Sequence, residues 1–225
     1  MDFLKVTIRL STPMVEPGDL FHLDALLGAL RVEQARAEFG EGINPRDYHH
    51  DLPLDKYSAG EGDWVFKASA FTYARELESQ NSMQTGRLNI TTAAKHRDEG
   101  FLLLRAAKPN IAGGPFKTSI YQYPVIWATL TAYCVGEQAG IAELLSHCRQ
   151  VGGRRGVGSG QVAGVSVEVI DENECVWSQR AMPENSDPQL LSGDYAKVMA
   201  SLRGPYWDRT LHQPVLVPTE LRQGE

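Results

Sequence analysis

The chain has 225 residues, 42% of them hydrophobic, including four Trp, seven Phe and eight Tyr, which is enough apolar material to build a core without disulfides or metals and excludes wholesale disorder. Its formal charge of −6 counts against a nucleic-acid binder, because phosphate neutralisation needs Lys and Arg. No apolar run approaches the ~20 residues that span a bilayer.

The first segment, MDFLKVTIRL, alternates Leu4, Val6, Ile8 and Leu10 with Lys5, Thr7 and Arg9. A period of two predicts a half-buried strand with its basic groups outward. The segment lacks the continuous apolar stretch of a signal peptide, so the expected location is cytoplasmic. Pro13 and Pro17-Gly18 end the strand, and Asp19 is a candidate N-cap. Leu23, Leu26, Leu27 and Leu30 then recur at helical spacing, predicting a helix over about 20–38 closed by Gly40 and Gly42. Residues 40–62 read as a long surface connection. Trp64, Phe66, Ala68 and Ala70 share one face of a second strand that runs to about Tyr73.

Residues 74–123 lack core patterning and read as an insertion, part helix and part hairpin; loops this long usually carry function. From Pro124, VIWATLTAYCV predicts a third strand and EQAGIAELLSHCRQV a helix burying Ile141, Leu144, Leu145 and Cys148. The loop GGRRGVGSG follows, then a fourth strand with Ala163, Val165, Val167 and Val169 on its apolar face. Residues 171–225 form an irregular extension, with DYAKVMASLRG as a short helix and HQPVLVP as a late strand. Strand, helix, strand, insertion, strand, helix, strand predicts an α+β, ferredoxin-like (RRM-like) βαββαβ core. A thumb-like insertion lies between the second and third core strands. The whole, 1–225, reads as one domain.

Charge is unevenly placed. Residues 63–170 carry eleven basic and eight acidic side chains, whereas both flanks are acidic. Within the insertion Arg87, Lys95, His96, Arg97, Lys108 and Lys117 gather against few carboxylates, the footprint of a nucleic-acid binder of limited reach. Cys134, Cys148 and Cys175 lack metal-ligand spacing, and no second pair accompanies His49-His50, so neither a disulfide framework, a metal nor a cofactor is expected.

The chemistry concentrates in the glycine-arginine loop. Gly152, Gly153, Gly156, Gly158 and Gly160 surround Arg154 and Arg155, with Ser159 among them and Arg149 just upstream. Glycine density permits positive φ and close backbone approach, exposed N–H groups cradle phosphate oxygens, and guanidiniums fork onto them. The loop follows a helix and precedes a strand, the reverse of the setting that nucleotide fingerprints need, and it lacks the GK[ST] ending. The bland alternative is a helix-to-strand turn with solvated arginines.

A glycine-rich segment between the last helix and last strand of such a core resembles the RAMP superfamily of CRISPR-associated RNA-binding proteins. Phe21-His22-Leu23-Asp24-Ala25-Leu26-Leu27-Gly28, opening the first helix, is similar to the type IV (Csf) subunit of the Cas-five group. That resemblance implies a non-catalytic subunit of an antiviral or plasmid-defence ribonucleoprotein complex. It would hold the 5′ handle of the CRISPR RNA (crRNA) through Gly153, Arg154, Arg155, Gly156, Ser159 and Gly160 and cap a filament of Cas-seven type backbone subunits. The thumb would pack on the neighbouring backbone subunit and reach RNA or target DNA near its flanking motif. A large subunit and a DinG-type helicase are the further implied partners.

Two rivals stand beside this reading. RAMP nucleases often place a general-base histidine near the first helix, which makes His22 the candidate of a metal-independent CRISPR RNA endonuclease, with Lys5 or Arg9 stabilising developing charge. The field at the helix N-terminus would keep it neutral, as a base needs; the bland alternative is that it caps the helix or bonds to Asp24, itself an ordinary helix-dipole partner. A protein-interaction domain without nucleic acid is the second rival. Tyr121, Tyr123 and Trp127 are candidate base stackers, with core packing the alternative for Trp127.

Overall fold

The computed structural model describes residues 1–18, 20–60, 62–75, 80–86, 89–98, 112 and 117–222. The chain divides into two compact units, Met1–Glu78 with Ile126–Glu225, and Ser79–Val125. In chain order the elements are β1 (Asp2–Leu10), β2 (Met14–Val15), α1 (Leu23–Phe39), β3 (Lys56–Ser58), β4 (Trp64–Phe66), β5 (Thr72–Arg75), β6 (Gln80–Gly86), α2 (Ile90–Asp98) and β7 (Ser119–Ile126). They continue with β8 (Ala128–Gly136), α3 (Gln138–Ser146), β9 (Val162–Val169), β10 (Met182–Pro183), β11 (Tyr195–Ala200) and β12 (Gln213–Pro218). Arg87, Lys108 and the candidate cap Asp19 lie outside the described residues.

The larger unit is organised by a four-stranded sheet in the order β5-β8-β1-β9, with every neighbouring pair antiparallel. The alternation in β1 sets the register. Leu4, Val6 and Ile8 face inward, opposite Cys134, Ala132 and Leu130 on β8 and Val169, Val167 and Val165 on β9. Leu23, Leu26, Leu27 and Leu30 of α1 and Ile141, Leu144 and Leu145 of α3 cover this face and complete one hydrophobic cluster. Burying each such side chain contributes roughly 1.5–3 kcal/mol. The sheet's other face carries Lys5, Thr7 and Arg9 and is half-exposed.

Several elements differ from the sequence expectation. Helix α1 starts at Leu23 after His22 rather than near residue 20, and it ends at Gly40, whose N–H donates to Arg36 O. The expected strand 64–73 splits in two. β4 pairs with β3, and only β5 joins the main sheet; between them Ala68 bridges to Cys134 of β8 and Ala70 to His22. The break lets Val65 enter a second hydrophobic cluster while Phe66 enters the first. The expected third strand likewise divides at Trp127 into the end of β7 and β8.

The extension after residue 171 is more regular than expected. DYAKVMASLRG contains strand β11 rather than a helix, because Tyr195 to Ala200 pair with β12 along their length and Tyr195, Val198 and Ala200 pack against the second cluster. With β10 these strands form the order β10-β12-β11 over a cluster of Trp177, Met182, Leu202, Val215 and Val217. In the smaller unit β6 and β7 form an antiparallel hairpin from Gln80↔Val125 to Gly86↔Ser119. The insertion expected over 74–123 thus gives up Ala74 and Arg75 to β5.

Candidate nucleic-acid interface

The glycine-arginine loop hangs from the end of α3 and the start of β9, and its base is laced shut. Val151 N–H donates to Gly160 O at 2.8 Å and Val162 N–H to Arg149 O at 2.9 Å. The turn after β1 locks it from the other side. Thr12 Oγ1 donates to Gly158 O at 2.8 Å and accepts from Gln161 N–H at 2.9 Å, while Gly160 N–H donates to Pro13 O at 2.9 Å. Gln150 Nε2 adds a bond to Arg155 O at 3.0 Å.

This lacing divides the glycines by task. Gly160 is buried at φ +65°, and a Cβ there would overlap the Val151 carbonyl oxygen. Its N–H and C=O are both engaged within the protein, so it shapes the loop and offers a ligand no backbone group. Gly152, Gly158 and Ser159 are half-buried. Gly153, Arg154, Arg155 and Gly156 are the exposed apex, and the space around Gly156 is open. Arg154 sits in the left-handed region at φ +58°, which costs a non-glycine residue about 1–2 kcal/mol. Strain of that kind at an exposed loop tip is a pointer to function. Arg155 lies 3.7 Å from Glu33, an exposed pair too weak to hold the guanidinium back from a stronger anion. Arg149 is also exposed.

His22 occupies a different environment. It is only 4% exposed, stacks on Tyr206 with ring centroids 4.6 Å apart, and its Nε2 accepts from Ala181 N–H at 3.3 Å. Burial, reinforced by the Arg180 charge, holds its pKa well below the usual histidine value, so it is neutral at pH 7. The sequence expectation attributed neutrality to the helix field; desolvation and Arg180 are the causes found.

Beside it, Arg180 is fully buried. It donates to Phe66 O, Ala68 O, Leu202 O and Tyr206 Oη at 2.6–3.0 Å and faces Asp24 Oδ2 at 3.4 Å. Tyr206 Oη in turn bonds both Asp24 oxygens at 2.9 and 3.0 Å. Burial opposes the guanidinium's charge, and Asp24 and Tyr206 more than offset it, so the Arg180 pKa is raised. The Asp24 expected as helix-dipole partner is therefore chiefly a buried counter-ion. Arg180 and Tyr206 were missed from sequence; the one signal is an arginine inside the apolar run Val176, Trp177, Ala181 and Met182.

Of the insertion candidates, Lys95, His96 and Arg97 form the last turn of α2, and Arg97 pairs with Asp98 at 2.6 Å. Lys117 is exposed just before β7. Tyr121 and Tyr123 stack on β7 with centroids 6.3 Å apart, Tyr121 being 45% exposed. Trp127 is half-buried in the larger unit. The opposite face of the hairpin leaves Met83 and Ile120 about two-thirds exposed, at 69% and 68%. Burial pushes the Cys134 thiol to about 12 and Cys148 to about 11, too high for either to act as a thiolate at neutral pH. Among the described residues no helix is long and apolar enough to cross a membrane.

No curated protein sequence matches the chain. Among solved structures it is similar to one chain of a cryo-EM structure of the Type III-B Cmr-beta bound to cognate target RNA, at 13% identity and a TM-score of 0.34. That likeness covers 75% of this chain and 61% of the other, so this chain spans less than two thirds of that relative. The family model described as CRISPR type IV associated protein Csf3 matches residues 2–218. Coverage of nearly the whole sequence assigns the chain to the Csf3 family of type IV CRISPR-associated proteins.

Proposed function

We propose that this type IV CRISPR subunit is a non-catalytic RNA-binding protein of the Cas-five group that holds the 5′ handle of the crRNA. The observation that carries the reading is the laced loop, with Arg154 and Arg155 presented at an exposed apex on a base fixed by Thr12 and Gly160. A preformed loop loses little entropy on binding, so its arginines neutralise phosphates without first being ordered. The antiparallel order β5-β8-β1-β9 with α1 and α3 on one face supports the ferredoxin-like core that such subunits share.

The hairpin of β6 and β7 acts as the thumb. Its exposed Met83 and Ile120 suit a protein neighbour, here the Cas-seven type backbone subunit of the ribonucleoprotein filament. Lys95, His96, Arg97 and Lys117 serve the guide or the target DNA near its flanking motif. The large subunit and a DinG-type helicase complete the assembly in this cytoplasmic complex. His22 serves the fold rather than cleavage, because its Nε2 is engaged by Ala181 N–H and its ring is covered by Tyr206.

The test is RNA binding across a salt series with Arg154→Ala combined with Arg155→Ala. Loss of two phosphate contacts lowers the slope of log K against log salt by about 1.4 for a single strand. An unchanged slope overturns the loop reading. Cleavage of repeat RNA without metal, lost in His22→Ala, would overturn the non-catalytic one.

A further inference from the structure

The open face of the core sheet is organised in cross-strand rows. Arg9 lies opposite Thr129 on one side and Gly164 on the other; Thr7 lies between Thr131 and Ser166; Lys5 lies between Tyr133 and Glu168. All are at least partly solvent-accessible, and Arg9 is exposed. Among the described residues Lys5 and Arg9 form no ion pair. Gly164 has a specific part in this. A Cβ built there would meet Arg9 Nη2 at 3.3 Å, so the missing side chain lets the guanidinium lie along the sheet. Glu168 offsets Lys5 at the far end, which leaves the positive density at the Arg9 end.

That end adjoins the loop. Arg9 is three residues from Thr12, whose hydroxyl bonds Gly158 O, and Ser11 N–H donates to Gln161 O at 2.8 Å. Unpaired cations, a row of hydroxyls able to donate and accept, and one aromatic ring at Tyr133 match a sugar-phosphate strand with its 2′-hydroxyls and unstacked bases. A protein partner would instead call for apolar anchors at the centre of the face. We infer that this face carries single-stranded RNA onward from the loop, with Arg9 held flat by Gly164 as its principal phosphate contact. The inference rests on the loop reading and extends it.

The full chain is titrated by fluorescence anisotropy with labelled oligouridylates of about 4 and about 12 nucleotides, lengths that bracket a small binding surface. Lys5→Gln with Arg9→Gln is expected to weaken the longer RNA about tenfold and lower its salt slope by about 1.4 while sparing the shorter one. Gly164→Val, which displaces the guanidinium, is expected to reproduce part of that loss, and Arg9→Lys to retain the slope. Parental binding of both RNAs by the Lys5/Arg9 variant, with Arg154→Ala/Arg155→Ala still impaired, overturns the sheet track and leaves the loop reading standing. Parental binding by the loop variant, or no binding by the parent chain, overturns both.

Discussion

Arg154 and Arg155 stand in water at the tip of a loop, whereas Arg180 is sealed between α1, β4 and the C-terminal sheet with no exposed surface. The residue type is the same and the surroundings assign opposite work. Arg180 spreads five N–H donors over backbone carbonyls, a tyrosine and a carboxylate, which is what allows a guanidinium to be buried at all. Arg155 lies beside Glu33 in an exposed pair, and the backbone beneath the loop is braced by Gln150. Burial separates a structural cation from one that stands at the surface, and neither sequence position nor neighbouring glycines reveal it.

The largest test of that contrast is Arg180→Ala. It leaves Asp24 buried without its counter-ion and strands several carbonyls, so a loss of about 3–5 kcal/mol is expected in denaturant unfolding. A change as small as that of a surface arginine would break the comparison. Gly160→Ala comes next, with about 2–3 kcal/mol expected from the positive φ and the backbone overlap.

A pH dependence follows. The folded-state pKa of His22 is depressed, so the unfolded chain takes up the proton first. Its stability contribution is full above the unfolded value of about 6.5 and is lost as pH falls toward the lower folded value. The unfolding midpoint should drop on going from pH 7.5 to pH 5, and His22→Gln should flatten that fall even though it lowers stability throughout. A parallel pH profile in the variant would remove His22 from the account. Arg154→Gly relieves the left-handed strain and is expected to stabilise the fold by about 1 kcal/mol while weakening RNA binding, a split no buried arginine would show. Gly156→Ala, facing open space, should change stability by less than about 0.5 kcal/mol.

Much of the main sheet was legible because period-two alternation in β1, β8 and β9 is a local consequence of one covered face. The 3.6-residue leucine spacing of α1 is equally local. β11 was not, because Tyr195 to Ala200 become a strand only through pairing with β12, and short apolar segments fit either period. The split between β4 and β5 was hidden for a related reason: two clusters compete for Val65 and Phe66, and alternation assumes one. In the loop, the position of the arginines was readable, but the sorting of its glycines into exposed and packed depended on Thr12 and Val151, contacts distant in sequence. Arg180, Asp24 and Tyr206 converge from opposite parts of the chain and left no motif.

That convergence also orders events during synthesis. Asp24 and Tyr206 are 182 positions apart. At about 5–20 residues per second a ribosome needs roughly ten to forty seconds to bridge that distance. Until Arg180 is made, 156 positions after Asp24, that carboxylate has neither of its partners, and α1 cannot seat its first turn without burying it alone. Nascent chains stalled before Arg180 should therefore remain protease-sensitive around α1, and those stalled well beyond Tyr206 should not. Truncated products would be left open to degradation, and only a finished polypeptide would reach assembly.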